Sequence, residues 1–109
     1  MPGRTVGAGS RIPGPQRMES IPVFILSEHA ARERVRRGIS LGDLERVMEA
    51  PERVIEVRLG RVLVQARLDP GIGGKMYLLR VFVDVDRFPP EVVTVYRTSK
   101  IAKYERRRP

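Results

Sequence analysis

The sequence predicts an α+β domain in which two N-terminal helices pack on one face of a four-stranded antiparallel sheet. Two stretches with helical periodicity come first, and four alternating stretches rich in β-branched residues follow them. Short links containing glycine or proline separate these strands, which is typical of antiparallel neighbours. The chain has 109 residues, of which 41% are hydrophobic, so it is long enough for one such domain with a modest core.

The first helix is predicted from a serine start and a glycine stop. Ser27 is a candidate N-cap, and the helix is expected to run to about Arg37, where Gly38 ends it. On this helix we expect Ala31 and Val35 to mark the buried side. A short apolar lead-in, residues 21–26, precedes the cap and is interrupted by a proline.

The second helix has the same kind of start. Ser40 is a candidate cap for a helix that runs to about Ala50, because Pro51 cannot continue it. Its apolar residues recur at helical spacing and form one stripe, which consists of Leu41, Leu44, Val47 and Met48.

The remaining elements are strands and one terminal turn of helix. The strands are predicted at residues 53–59, 61–68, 75–85 and 91–98, the first two forming a hairpin around Gly60. The loop before the third strand, residues 70–74, is read as a hairpin connection because it lacks the spacing of a phosphate-binding loop. Ser99 is a candidate cap for a last short helix that contains Ile101, Ala102 and Tyr104.

The two ends of the chain are predicted to lie outside the domain, which spans residues 21–105. Residues 1–20 are rich in glycine and proline with interspersed arginine, so we expect a flexible basic arm. Residues 106–109 form a basic tail. Met18 lies just before the predicted domain, and translation from Met1 or from Met18 fits the sequence equally well.

The most informative pattern is the alternation in the last strand. It predicts that Val93 and Val95 face the core while Thr94, Tyr96 and Thr98 line the other face. The neighbouring strands add Gln65, Arg67 and Arg80 to that face if the registers agree. Guanidinium groups beside hydroxyls can hold a phosphate. The alternative is that threonine, tyrosine and arginine occur on any half-exposed sheet because of their β propensity.

Composition indicates a polyanionic partner. The net charge is +8 and the isoelectric point is about 11.0, and only three of the 21 basic residues are lysine. Arginine suits forked contacts with phosphate, which favours RNA as the partner, although an arginine-rich composition also arises from GC-rich codon usage. With no cysteine and one histidine, we expect no metal site and no cofactor. No apolar run is long enough to cross a bilayer, so the expected compartment is the cytoplasm, with no membrane partner.

His29 is the single histidine and the obvious candidate for a general base, since histidine is the side chain that titrates near neutral pH. Helical geometry brings Arg32 and Arg36 to the same side of the first helix. The alternative is an imidazole near a helix start that makes a local structural hydrogen bond.

Three short motifs carry a resemblance to a known family. Ser27-Glu28-His29-Ala30, then Arg37-Gly38-Ile39-Ser40, then the terminal Val93-Thr94-Val95-Tyr96-Arg97-Thr98 resemble a family of small bacterial and archaeal domains of unknown function. That family is similar to the barnase, EndoU, colicin and RelE group of ribonucleases, in particular to RelE/ParE toxins. The resemblance covers about residues 24–104. Members tend to carry arginine four residues after the histidine, where this chain has Glu33 with Arg32 and Arg34 beside it.

The resemblance implies a RelE-like domain that cleaves RNA by 2′-hydroxyl transesterification, without a metal or small-molecule cofactor. The RNA would be free or bound to the ribosome, and an antitoxin protein would be the partner. The positions of this chain that fit are Arg67, Arg80, Thr94, Tyr96 and Thr98, with His29 as the candidate base. We therefore predict three catalytic residues, which are His29, Arg80 and Tyr96. The residues predicted to bind phosphate or RNA are Arg32, Arg36, Arg67, Thr94, Thr98 and Lys100. The alternative function is a basic domain that binds RNA, ribosomes or a protein without catalysis.

Overall fold

A five-stranded mixed sheet organises the part of the chain that the structure, a computed structural model, describes: residues 20–69 and 73–105. Its strands lie in the order β1-β5-β4-β3-β2; β1 is parallel to β5 and every other neighbouring pair is antiparallel. The elements in chain order are β1 (Ile25–Leu26), α1 (Glu28–Arg36), α2 (Leu41–Glu49), β2 (Arg53–Arg58), β3 (Arg61–Leu68), β4 (Tyr77–Asp84), β5 (Glu91–Thr98) and α3 (Ile101–Glu105).

The predicted α+β class is confirmed, but the sheet has one strand more than expected and is not purely antiparallel. The lead-in before α1 contains β1, which pairs with β5 through Ile25 N–H to the Pro90 carbonyl and Ser27 N–H to the Val92 carbonyl, both 2.9 Å. A strand of two residues is too short to show alternation, and the pairing is with a segment about 65 residues later in the chain. This strand fixes the start of α1 against β5.

Both helices begin at the predicted serines. The hydroxyl oxygen of Ser27 accepts a hydrogen bond from Ala30 N–H at 3.0 Å, and that of Ser40 accepts one from Asp43 N–H at 3.0 Å. Gly38 follows α1 with φ of 69°, a left-handed conformation that explains why the helix stops there. The connection between the two helices is therefore short and well defined.

The hydrophobic core lies between the two long helices and one face of the sheet. The sheet contributes mainly valines, and the helix side of the core consists of Ala30, Ile39, Leu44, Val47 and Met48. Leu41, predicted to be in the stripe of α2, is instead largely exposed because it occupies the first position of the helix.

The buried side of α1 differs from the prediction. Ala30 is completely buried, whereas Ala31 is half-buried and Val35 is exposed. The helix packs against β5 and β1, and beyond Ala30 its inner side carries polar groups: Arg34 donates to the Ile39 carbonyl at 2.9 Å. The predicted buried side was wrong because α1 has few apolar residues, and their positions alone do not determine which side of a helix is buried.

A bulge in β5 changes which valines enter the core. Phe82 pairs with Thr94, but Val83 pairs with Val92, so Val93 is an extra residue. As a result Val92 and Val95 are completely buried, and Val93, predicted to be a core residue, is only half-buried. The residues after the bulge keep the predicted phase.

Several predictions concern residues outside the described part of the chain. They are the flexible arm up to residue 19 with its alternative start at Met18, the middle of the loop at residues 70–72, and the basic tail at residues 106–109. Across residues 20–69 and 73–105, no helix has both the length and the apolar character needed to cross a bilayer.

Glu33 should make the stability of the domain depend on acidic pH. Hydrogen bonds from Arg36 and then Arg37, each 2.8 Å at the shortest, lower the pKa of its carboxyl from 4.5 to about 2. As the pH falls, the Glu33 carboxyl is therefore protonated in the unfolded chain before it is protonated in the folded domain. The free energy of unfolding consequently decreases between pH 5 and pH 2. We expect Glu33→Gln to be less stable than the wild type at pH 7 and to lose less stability over that range, measured by urea unfolding.

The matched control is Glu28→Gln, at the exposed start of the same helix, where Arg32 is 3.4 Å away. Its stability should follow the wild-type pH profile. A Glu33→Gln profile parallel to the wild type would contradict the assigned role of Glu33.

Candidate functional site

Three side chains meet in a row across the sheet, on the face opposite α1 and α2. Gln65 on β3 pairs with Arg80 on β4, and Arg80 pairs with Tyr96 on β5. The Arg80 Nε donates to Gln65 Oε1 at 3.0 Å, and its Nη1 donates to the Tyr96 hydroxyl at 2.6 Å. The predicted alternation of β4 and β5 is thus confirmed at this position, and the guanidinium is held in one orientation.

Aromatic rings enclose the same guanidinium. The Arg80 Cζ lies 4.3 Å from the centroid of the Tyr104 ring of α3 and 5.7 Å from that of Tyr96. The Tyr96 ring stacks in turn on Phe82, with centroids 6.4 Å apart. A cation over aromatic faces is stabilised by the ring quadrupoles, most strongly when it is partly removed from water, as the half-buried Arg80 is.

Part of the hydrogen-bond donor capacity of Arg80 is unused within the described residues. Among the described residues no carboxylate forms an ion pair with it, and its Nη2 donates no hydrogen bond to any of them. Of its five N–H groups, two are used and three therefore remain for an external acceptor, next to the Tyr96 hydroxyl. A planar cation with free donors, set in a partly desolvated surface, is suited to an oxyanion such as phosphate.

Hydroxyl groups extend this row along β5. Thr94 lies opposite Phe82, and Thr98 lies opposite Leu78, both half-buried. The Thr98 hydroxyl oxygen accepts a hydrogen bond from Lys100 N–H at 3.0 Å, which ties the start of α3 to the end of β5. The Lys100 side chain itself is exposed. The predicted residues Thr94, Thr98 and Lys100 thus lie near Arg80 and Tyr96.

This face is less open than the alternation suggested. Leu63, Gln65 and Leu78 belong to it and are buried, with Leu78 completely so, and the Tyr104 ring of α3 lies on Arg80. The sequence predicted α3 but not the face on which it packs. Tyr104 is consequently a member of the site that was not predicted as one, although Ile101 and Tyr104, three residues apart, form a side of α3 that could have indicated it.

Arg67 lies on the same face but is engaged elsewhere. Its Nε and Nη2 donate to the two oxygens of Glu52 at 3.1 Å and 3.3 Å, and its backbone N–H donates to the same carboxylate at 3.2 Å. Glu52 therefore matches the charge of Arg67, which leaves Arg80 as the cation at the centre of the row.

The structure does not bring His29 to Arg80 and Tyr96. His29 is exposed on α1, and α1 packs on the other face of the sheet. At 100° per residue, His29, Arg32 and Arg36 share the side of α1 that is turned away from Ala30, hence away from the sheet. Arg32 contacts Glu28 and Arg36 contacts Glu33. The predicted residues thus fall into two groups, one on each side of the sheet.

Glu33, which stands where the resembling family has arginine, has a structural contact. Its side chain is largely buried and accepts hydrogen bonds from Arg36 and Arg37 within the same helix. This position of α1 is therefore part of an intrahelical ion-pair network.

Comparison of the chain with models of protein families, with curated proteins and with solved structures found no match.

Proposed function

We propose that this chain is a RelE-like, metal-independent endoribonuclease of the toxin type, with Arg80 and Tyr96 at its centre. The observation that carries the proposal is the hydrogen bond between the Arg80 guanidinium and the Tyr96 hydroxyl, with unused donors of Arg80 beside it. The net charge of +8 favours association with RNA. A toxin of this kind would be paired with an antitoxin protein that covers this face.

The proposed reaction is an internal transesterification. The ribose 2′-oxygen loses its proton to solvent and attacks the adjacent phosphorus, and the bond from phosphorus to the 5′-oxygen breaks. The products are a 2′,3′-cyclic phosphate and a 5′-hydroxyl. Arg80 stabilises the additional negative charge of the pentavalent phosphate, because its donors are already oriented before the reaction begins.

Tyr96 is the proposed proton donor to the departing 5′-oxygen. Its oxygen accepts from Arg80 Nη1, so the phenolic proton remains free to be donated. Thr94 and Thr98 lie on either side of it along β5 and position the phosphate oxygens. The Tyr104 ring offers a surface on which a base can stack.

A second candidate function is RNA binding without cleavage, and one observation favours it. Among the described residues, no histidine or carboxylate contacts the Tyr96 hydroxyl, so none of them is placed there to act as general base for the 2′-hydroxyl. This candidate predicts affinity that falls steeply with salt and no turnover.

The test is incubation of the purified chain with RNA in EDTA, followed by analysis of the end groups. We expect cleavage that leaves a cyclic phosphate and a 5′-hydroxyl, and no cleavage of an oligonucleotide of the same sequence lacking the 2′-hydroxyls. Binding of both oligonucleotides without cleavage of the RNA, free or on ribosomes, would favour the second candidate instead.

His29→Ala is expected to leave the cleavage rate close to that of the wild type, because α1 lies on the other side of the sheet from Tyr96. Rates measured under single-turnover conditions for His29→Ala and Tyr96→Phe separate the two candidate proton carriers. A large loss in His29→Ala with little change in Tyr96→Phe would reverse the assignment.

A further inference from the structure

A polar cavity of about 330 Å³ lies at the end of the sheet where β4 begins and β5 ends. Its lining residues are Lys75, Tyr77, Arg97, Thr98 and Ser99. Thr98 belongs both to this cavity and to the face of the sheet that carries Gln65, Arg80 and Tyr96, which we call the Arg80 face. By contrast, a second cavity of about 380 Å³, which contains Val23 and Phe88, has no charged residue in its lining.

Arg97 is held in the cavity by an aromatic ring. It follows Tyr96 in β5 and therefore projects to the opposite face, where its Cζ lies 5.2 Å from the centroid of the Tyr77 ring. The Tyr77 hydroxyl donates to Asp43 Oδ2 at 2.9 Å, and burial, followed by this hydrogen bond, raises the pKa of Tyr77. Tyr77 is thus an uncharged, fixed support for the guanidinium.

The two cations of the cavity are not neutralised within the described residues. Neither Lys75 nor Arg97 forms an ion pair there, and both are exposed. Asp43, which is linked to the cavity through Tyr77, accepts the Tyr77 hydroxyl hydrogen bond and lies 3.8 Å from Arg46. Two uncompensated cations and the hydroxyls of Thr98 and Ser99 provide the donors that a phosphate group requires.

We propose that this cavity binds a phosphate group, and that with RNA it holds a backbone phosphate near the one at Arg80. The part concerning RNA rests on the proposed function. Thr98 is two residues from Tyr96 along β5, a separation of about 7 Å, so one strand of RNA can reach both places around the end of the sheet. The phosphate of a small phosphorylated molecule would meet the same groups.

The first experiment tests the phosphate site without RNA. Inorganic phosphate and a nucleoside 5′-monophosphate are titrated into the ¹⁵N-labelled chain, and shifts are expected for the amides of Lys75, Thr98 and Ser99. Lys75→Ala and Arg97→Ala should each weaken binding about tenfold. Lys75→Ala removes no hydrogen bond or ion pair with another described residue, so it remains informative even if Arg97→Ala, which uncovers Tyr77, lowers stability. Absence of shifts at these amides would overturn the phosphate site.

The second experiment measures the affinity for a 2′-O-methylated RNA oligonucleotide at several salt concentrations. Lys75→Ala should lower the steepness of the logarithmic salt dependence by about one, while Arg58→Ala, on the far edge strand, should leave it unchanged. Equal effects of both variants would overturn the assignment to RNA. If the wild type binds inorganic phosphate at this site but neither binds nor cleaves RNA, the proposed function fails while the phosphate site stands.

Discussion

Replacing Arg80 with alanine is expected to lower the rate of RNA cleavage by about 10²- to 10³-fold, the largest effect of any single substitution on the proposed activity. The guanidinium is the centre of the site: it is fixed by Gln65 and Tyr96, lies against Tyr104, and forms no ion pair with a described residue. Its removal takes away oriented donors at the place where negative charge would develop. Single-turnover cleavage of a defined RNA oligonucleotide measures the effect.

Three further variants make this result specific. Arg80→Lys keeps the charge but loses the fork that reaches Gln65 and Tyr96 together, so it should recover only a small part of the rate. Tyr96→Phe keeps the ring contacts and loses the hydroxyl. Arg58→Ala changes the net charge by the same amount at an exposed position of β2 and should cleave at the wild-type rate. Wild-type cleavage by a folded Arg80→Ala would rule out the site.

The second large effect is expected on the stability of the domain, through the packing of α2 against the sheet. Leu44→Ala should destabilise the domain by about 2–5 kcal/mol, because Leu44 is completely buried between α2 and the sheet and its removal leaves a cavity. For a domain of this size, such a loss lowers the midpoint of thermal unfolding by about 10 °C or more. Thermal and urea unfolding measure it.

Leu41→Ala provides the matched control, since it removes the same atoms from the same helix at a position that is 43% exposed. Leu41→Ala should lower the free energy of unfolding far less than Leu44→Ala does. Equal losses in the two variants would contradict the observed burial of α2 and the one-sided packing of the helices on the sheet.

Much of the fold follows from local signals. Serine caps predicted the starts of α1 and α2, and the alternation of β-branched residues predicted β3 and β5 with the bounds that the structure has. These signals work because hydrogen bonds at a helix start and the side-chain period of a strand depend on neighbouring residues alone.

The missed features depend on distant parts of the chain. β1 is a strand because its backbone at Ile25 pairs with that of β5, and the sequence of a two-residue segment does not predict such a pairing. The bulge at Val93 and the packing of α3 on the Arg80 face are likewise outcomes of tertiary contacts. Local patterns therefore predicted the helices and the four long strands. The fifth strand, the bulge and the position of α3 on the Arg80 face could be seen only in the structure.

The candidate site could likewise be predicted only where it depends on local patterns. Strand phase correctly placed Arg80 and Tyr96 side by side, because it needs only the period of two residues. The position of His29 depends on which face of the sheet α1 covers and on how the helix is rotated about its axis. Neither is encoded in the residue types near His29, and the buried side of α1 was predicted wrongly for the same reason.

Whether RNA binds at Arg80 is tested by an NMR titration of the ¹⁵N-labelled chain with a 2′-O-methylated RNA oligonucleotide that cannot be cleaved. If RNA binds at Arg80, shifts are expected for the Arg80 Nε–H resonance and for the Tyr96 and Thr98 amides. Shifts confined to α1 around His29, Arg32 and Arg36, with the Arg80 resonance unchanged, would show that RNA binds on the other side of the sheet.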